Sequence, residues 1–181
     1  MTPRTFAPKE SWLGGGIVDQ ELSVPNYQLI RLDRNRHGGG LAMFISNKLY
    51  YNVIFVGNNS FECIIVSLTY SSCKFCVCLL YCPPSHTCDV LNSLYDTLFF
   101  LIPLFFTNFI LVGDFNIDFC NRNSTLYSKL VSVTSSFFLY QVIKEPTRHV
   151  PSGSSSTIDL AFISPDTNAL ALVNINLLRT H

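Results

Sequence analysis

The stretch Ile110-Leu111-Val112-Gly113-Asp114-Phe115-Asn116 constrains the chain most. A short apolar run stopped by a glycine reads as a buried strand, and Asp114 and Asn116 then stand just past its end. Strand ends hold polar side chains rigidly, so an acid and an amide there suit metal binding or phosphate chemistry. Asp and Asn are also ordinary turn formers, and on these residues alone both readings stay open.

A buried strand needs neighbours, and the chain supplies them. Leu41 to Ile45, Val53 to Val56, Phe61 to Leu68 and Phe75 to Tyr81 have strand character, with turn signals at 57–60 and 70–72. Two prolines after Tyr81-Cys82 end the last of these and leave Tyr81 at a strand end. From Asp89 onward, Leu91, Leu94, Leu98, Leu101, Ile102 and Phe105 recur every three or four residues, one face of a helix that should stop near Pro103 or soon after it. Ser124 to Ser132 suggests a second helix with Leu126 and Leu130 on one face. Phe137 to Ile143 and Thr157 to Ile163 return to strand character, and Ala169 to Ile175 could be a last strand. Strands with interleaved helices predict an α/β (α+β) fold of sheets packed together and covered by helices.

Composition excludes several classes. At 181 residues, 48% hydrophobic and 13% charged, the chain can bury a full core as a single domain. Twelve basic residues balance twelve acidic ones, so no global charge draws it to nucleic acid, and any such contact must be local. The opening residues lack the apolar segment of a signal peptide, so secretion is not expected. The apolar stretch from Leu98 to Val112 falls short of about 18 residues and is broken by Pro103, Thr107 and Asn108, which predicts a helix end and a strand and no membrane contact.

Three local patterns admit a bland reading beside a chemical one. Seven cysteines include Cys73, Cys76, Cys78 and Cys82, which invite a zinc site. As a strand, however, this segment puts Cys76 and Cys78 on one face and Cys73 on the other, and cysteine as a small core hydrophobe is the simpler use. Gly38-Gly39-Gly40 precedes a strand and not a helix, so it reads as a turn between strands. Glu10 beside Trp12 is either a functional pair or a surface acid next to a core aromatic.

Taken in order, Glu10-Ser11-Trp12-Leu13, Asp33-Arg34 with Gly38-Gly39-Gly40-Leu41-Ala42, Tyr81-Cys82-Pro83-Pro84, Gly113-Asp114-Phe115-Asn116, Pro146-Thr147-Arg148 and Ser156-Thr157-Ile158-Asp159 resemble one family. It is the endonuclease domain of non-LTR (LINE-type) retrotransposons, within the endonuclease/exonuclease/phosphatase superfamily. The resemblance implies a four-layer α/β/β/α sandwich with an active site at one end of its two sheets. It implies a divalent-metal-dependent endonuclease, using Mg²⁺ or Mn²⁺, that nicks a DNA phosphodiester with activated water to prime reverse transcription. Such chemistry needs charge neutralised on the phosphorane oxygens, a base for water and help for the leaving oxygen.

By the family's pattern, Glu10 is a metal ligand, Asp114 the acid or base at the scissile phosphate, Asn116 a donor to a phosphate oxygen and Tyr81 a further phosphate contact. Asp159 would orient the closing histidine, His181, and fix its tautomer. Arg148 would contact the DNA backbone, or serve only as a solvated loop arginine. DNA and a reverse transcriptase domain of the same element are the implied partners, and the nucleus the implied setting. The family also opens with a strand bearing an asparagine and further metal-site groups, whereas only nine residues precede Glu10 here. It closes with Ser-Asp-His, where this chain has Arg179-Thr180-His181. The expectation is a domain over 1–181 that lacks the first strand, is truncated at the N-terminus and at the C-terminus, and has a depleted metal site. The alternatives are a catalytically inactive remnant, or a superfamily phosphatase acting on small phosphoesters.

Overall fold

The computed structural model describes residues 5–6, 18–34, 40–58, 60–85, 88–105, 108–149 and 155–165. Within them, β1 (Thr5–Phe6), β2 (Tyr27–Leu32) and β3 (Leu41–Ser46) make a small antiparallel sheet in the order β1-β3-β2. The central position of β3 accounts for its unbroken burial, since every residue of Leu-Ala-Met-Phe-Ile-Ser is covered. Thr5–Phe6 therefore already pair ahead of Glu10, but neither is an asparagine or an acid. Glu10, Trp12, the possible strand Ala169 to Ile175 and His181 lie outside the described residues.

The larger sheet contains β4 (Tyr50–Asn58), β5 (Glu62–Tyr70), β6 (Cys73–Tyr81), β7 (Phe109–Asp114), β8 (Tyr140–Gln141) and β9 (Asp159–Ile163). Its spatial order is β4-β5-β6-β7-β9-β8. Hairpins join β4 to β5 and β5 to β6; at the second, Ser71 and Ser72 both take positive φ, 46° and 69°, which gives a turn whose twist matches the strands. Among the described strands only β6 and β7 run parallel, and a parallel pair needs a crossover, here helix α1 (Cys88–Phe105). Helix α1 continues two residues past Pro103, which lies on its exposed side, where a helix tolerates a proline best. Helix α2 (Thr125–Ser135) packs beside it.

Strand alternation divides the core in two. On one face of the large sheet, Cys63, Ile65, Cys76, Cys78, Leu80, Leu111, Leu160 and Phe162 meet Leu91, Leu94 and Leu98 of α1 and Leu130 and Val133 of α2. On the other, Ile64, Val66, Val77, Leu79, Ile110, Val112 and Ala161 meet Leu41, Met43 and Ile45 of the small sheet. The two sheets thus lie face to face, with helices covering the larger one, as expected. Outside the small sheet the described cover is a single 3-10 turn, Asp19–Leu22, tied down by Arg31, whose Nε lies 3.0 Å from Asp19 Oδ1. The strand expected over Phe137 to Ile143 is reduced to Tyr140–Gln141, because Phe138 turns the chain at φ 56°.

Candidate functional site

Register builds the site. Glu62 pairs with Tyr81, Tyr81 with Asp114 and Asp114 with Asp159, so four adjacent strands each place one polar residue in a single cross-strand row. Directly paired residues project to the same face. Here that is the face toward the small sheet, since Ile64, Leu79, Val112 and Ala161, two positions along each strand, belong to the core between the sheets. Tyr81 and Asp114 also end the two parallel strands, the edge at which sheets with parallel strands present functional groups. All four residues are 5% exposed or less.

Gly113 is required for this packing. A Cβ there would lie 1.8 Å from the Leu80 carbonyl oxygen, and the backbone has φ 153°. Beyond it the chain turns sharply. The Asn116 amide donates to Asp114 Oδ1 at 2.9 Å, and Asn116 holds φ 49°, a left-handed conformation that asparagine tolerates better than most residues. Phe115 between them is fully buried on the helical side and meets Phe162 edge-on at 5.5 Å. The aromatic anchor and Asp114 therefore point to opposite sides, which fixes Asp114 in the row.

Neighbouring segments are stitched to this turn. Cys82 N–H donates to the Asp114 carbonyl at 2.9 Å, and Asn116 Nδ2 donates to the Cys82 carbonyl at 2.8 Å, so the segment before Pro83-Pro84 is held from both sides. Phe115 N–H reaches the Ile158 carbonyl at 3.0 Å. Asp118 Oδ1 accepts from Thr157 N–H at 3.1 Å and from Cys120 N–H at 3.0 Å. Thr147 Oγ1 accepts from Ile158 N–H at 3.2 Å and Asp159 N–H at 3.1 Å, which gives the Pro146-Thr147-Arg148 segment a concrete task in placing Asp159. Arg148 pairs with Ser156 through the backbone, and its side chain is exposed.

Glu62 closes the row at the far end. Its Oε2 accepts from Gly40 N–H at 2.6 Å and its Oε1 meets Arg34 Nη1 at 3.1 Å, both partners coming from the connection between β2 and β3. No motif marks Glu62 in the sequence. The available signal was weaker: it is the one acid in an apolar strand, on the inward parity of that strand. On the helical side, burial pushes the Cys82 thiol up to about 12, with the nearby Asp114 carboxylate adding to the rise.

The described residues bring Tyr81, Asp114, Asn116 and Asp159 together at one end of the sheets and leave Arg148 on a loop bound to the start of Asp159's strand. Glu10 and His181 are outside them. Among the described residues no three His, Cys, Asp or Glu side chains converge to hold a metal ion. The cysteines likewise form no zinc site among the described residues. Cys63, Cys76, Cys78 and Cys82 are core residues on the helical face. No described helix is long and apolar enough to cross a membrane.

A family model described as endonuclease-reverse transcriptase matches residues 75–180. No curated protein sequence matches the chain. Among solved structures, it resembles the endonuclease domain of TRAS1, a telomere-specific non-LTR retrotransposon, with a TM-score of 0.64 at 13% identity, covering 79% of this chain and 69% of that one. The human Nocturnin catalytic domain gives 0.57 at 18% identity over 89% and 69%. An endonuclease/exonuclease/phosphatase family protein from Bacteroides thetaiotaomicron gives 0.56 at 17% over 81% and 64%. At these identities the structural likeness speaks for the fold.

Proposed function

Since the chain belongs to the endonuclease-reverse transcriptase family, we propose that it carries a DNA-nicking endonuclease activity in which water hydrolyses one phosphodiester bond. The observation that carries this reading is the strand-end row with Tyr81, Asp114 and Asp159 on three adjacent strands, joined by Asn116 from the turn.

In this reading Asp114 is the acid or base at the scissile phosphate. As base it takes the proton of the attacking water while the new oxygen–phosphorus bond forms and the bond to the leaving oxygen breaks; as acid it protonates that leaving oxygen. Burial at a strand end and the hydrogen bond from Asn116 N–H hold its carboxylate in one orientation. Asn116 gives one amide hydrogen to the Cys82 carbonyl, which leaves the second for a phosphate oxygen. Tyr81 adds a phosphate contact from the adjoining strand, and Asp159, steadied by Thr147, orients His181. Arg148 contacts the DNA backbone.

A divalent cation, Mg²⁺ or Mn²⁺, belongs to the same reading, with Glu10 its ligand, and would supply neutralising charge at the phosphate. DNA is the substrate, the nucleus the place of action, and a reverse transcriptase domain of the same element the partner that extends the nick. Incubation with supercoiled plasmid tests this. Open circles should accumulate with Mg²⁺ or Mn²⁺, and not with a chelator or with Asp114→Ala. Absence of nicking by the unaltered chain would favour the alternative, a folded but inactive member of the family.

A further inference from the structure

Resting on that reading, we infer that Arg34 is a DNA-phosphate contact at the lip of the site, held in position by the buried Glu62. Glu62 lies at the end of the polar row, paired in register with Tyr81, and is 5% exposed. A carboxylate so deeply buried is stable only when paired and hydrogen-bonded. Both of its oxygens are engaged by the connection between β2 and β3, one by Arg34 Nη1 at 3.1 Å and the other by Gly40 N–H at 2.6 Å. The acid thereby fixes two points of the opposite sheet's connection to the end of the row.

The Arg34 side chain remains 41% exposed, against 6% for its partner. A guanidinium has five N–H donors in a planar fork, and the contact to Glu62 uses one edge of it. The remaining donors suit the non-bridging oxygens of a phosphodiester. Arg31, three residues earlier on β2, is committed elsewhere, to Asp19 at 3.0 Å and Asp33 at 3.3 Å. In a chain without net charge, a single guanidinium anchored at the mouth is the kind of local contact that DNA binding would require. Glu62 is then a positioning residue, acting on DNA through Arg34.

Equilibrium binding of a short fluorescent DNA duplex, followed by anisotropy in chelator over a series of salt concentrations, separates this from the nicking reaction. Arg34→Ala should bind on the order of tenfold more weakly and lower the slope of log K against log salt by about 1, with Arg34→Lys in between. Glu62→Gln keeps an acceptor for Gly40 N–H and removes a negative charge near DNA, which by charge alone would strengthen binding. Positioning predicts the reverse, weaker binding with Arg34 intact, and this variant carries the test if Arg34→Ala does not fold. Unchanged affinity and slope in Arg34→Ala, equal or tighter binding by Glu62→Gln, or no binding by the unaltered chain would overturn the inference. A chain that binds DNA through Arg34 and never nicks it would overturn the proposed activity alone.

Discussion

Asn116 has two separable duties. Its backbone sits at φ 49°, where most side chains are strained, and its side chain reaches both a neighbouring carbonyl and, in the proposed chemistry, a phosphate. Asn116→Gly relieves the backbone and deletes the side chain, whereas Asn116→Ala loses on both counts. Asn116→Ala should therefore melt below Asn116→Gly by about 2 to 4 °C, the shift expected for about 1 kcal/mol in a domain of this size. Both variants should lose nicking by on the order of 10²-fold, as removal of a phosphate-site donor commonly does. Nicking by Asn116→Gly at the unaltered rate would confine Asn116 to a structural role. Asp114 and Asn116 were legible because acid, aromatic and amide are contiguous and follow a strand-like run. Glu62 and Arg34 were not, because register brings them together from distant parts of the chain and a lone acid in a strand carries no spacing signal.

Strand β6 shows what an element's two faces decide. Phe75, Val77, Leu79 and Tyr81 look into the core between the sheets, while Cys76, Cys78 and Leu80 look under the helices, as alternation predicts. Burial pushes the thiols of Cys63 and Cys76 up to about 11 and about 12, and Cys78 well above its ordinary value. A thiol reagent at pH 8 should modify the exposed Cys73, Cys88 and Cys120 in the native chain and reach Cys63, Cys76, Cys78 and Cys82 only after denaturant is added. The same shifts set a sign for alkaline stability. Above pH 9 the unfolded thiols ionise while the folded ones stay protonated, so stability intact below pH 9 should fall steadily toward pH 12. Constant urea midpoints across that range would contradict it. Periodicity located α1, whereas β6 stands out as a continuous apolar run between the turn at 70–72 and Pro83-Pro84. Strand character alone overextended β8, where a turn at Phe138 overrides the local preference.

At the scale of the whole molecule, the large sheet ends, among the described residues, in β4, whose Val53, Ile54, Phe55 and Val56 are all exposed at 36% or more. A register shift between Val53 and Phe55 bends this edge, as bulges on edge strands do. Ile54→Lys should reduce concentration-dependent association, seen by light scattering, with little change in melting temperature; unaltered association would place the sticky surface elsewhere. The two-sheet architecture with helical cover could be anticipated from the order of strand and helix patterns. Its decisive feature could not, because only pairing in space aligns Glu62, Tyr81, Asp114 and Asp159 in one row. In the proposed function this row acts on a phosphodiester. Its most direct test is the single-turnover rate of supercoiled plasmid nicking, with Mg²⁺ and protein at saturating concentration, for the unaltered chain and for Asp114→Asn. A loss on the order of 10²-fold or more in Asp114→Asn with DNA binding retained is the result predicted; equal rates, or no nicking by either, would contradict it.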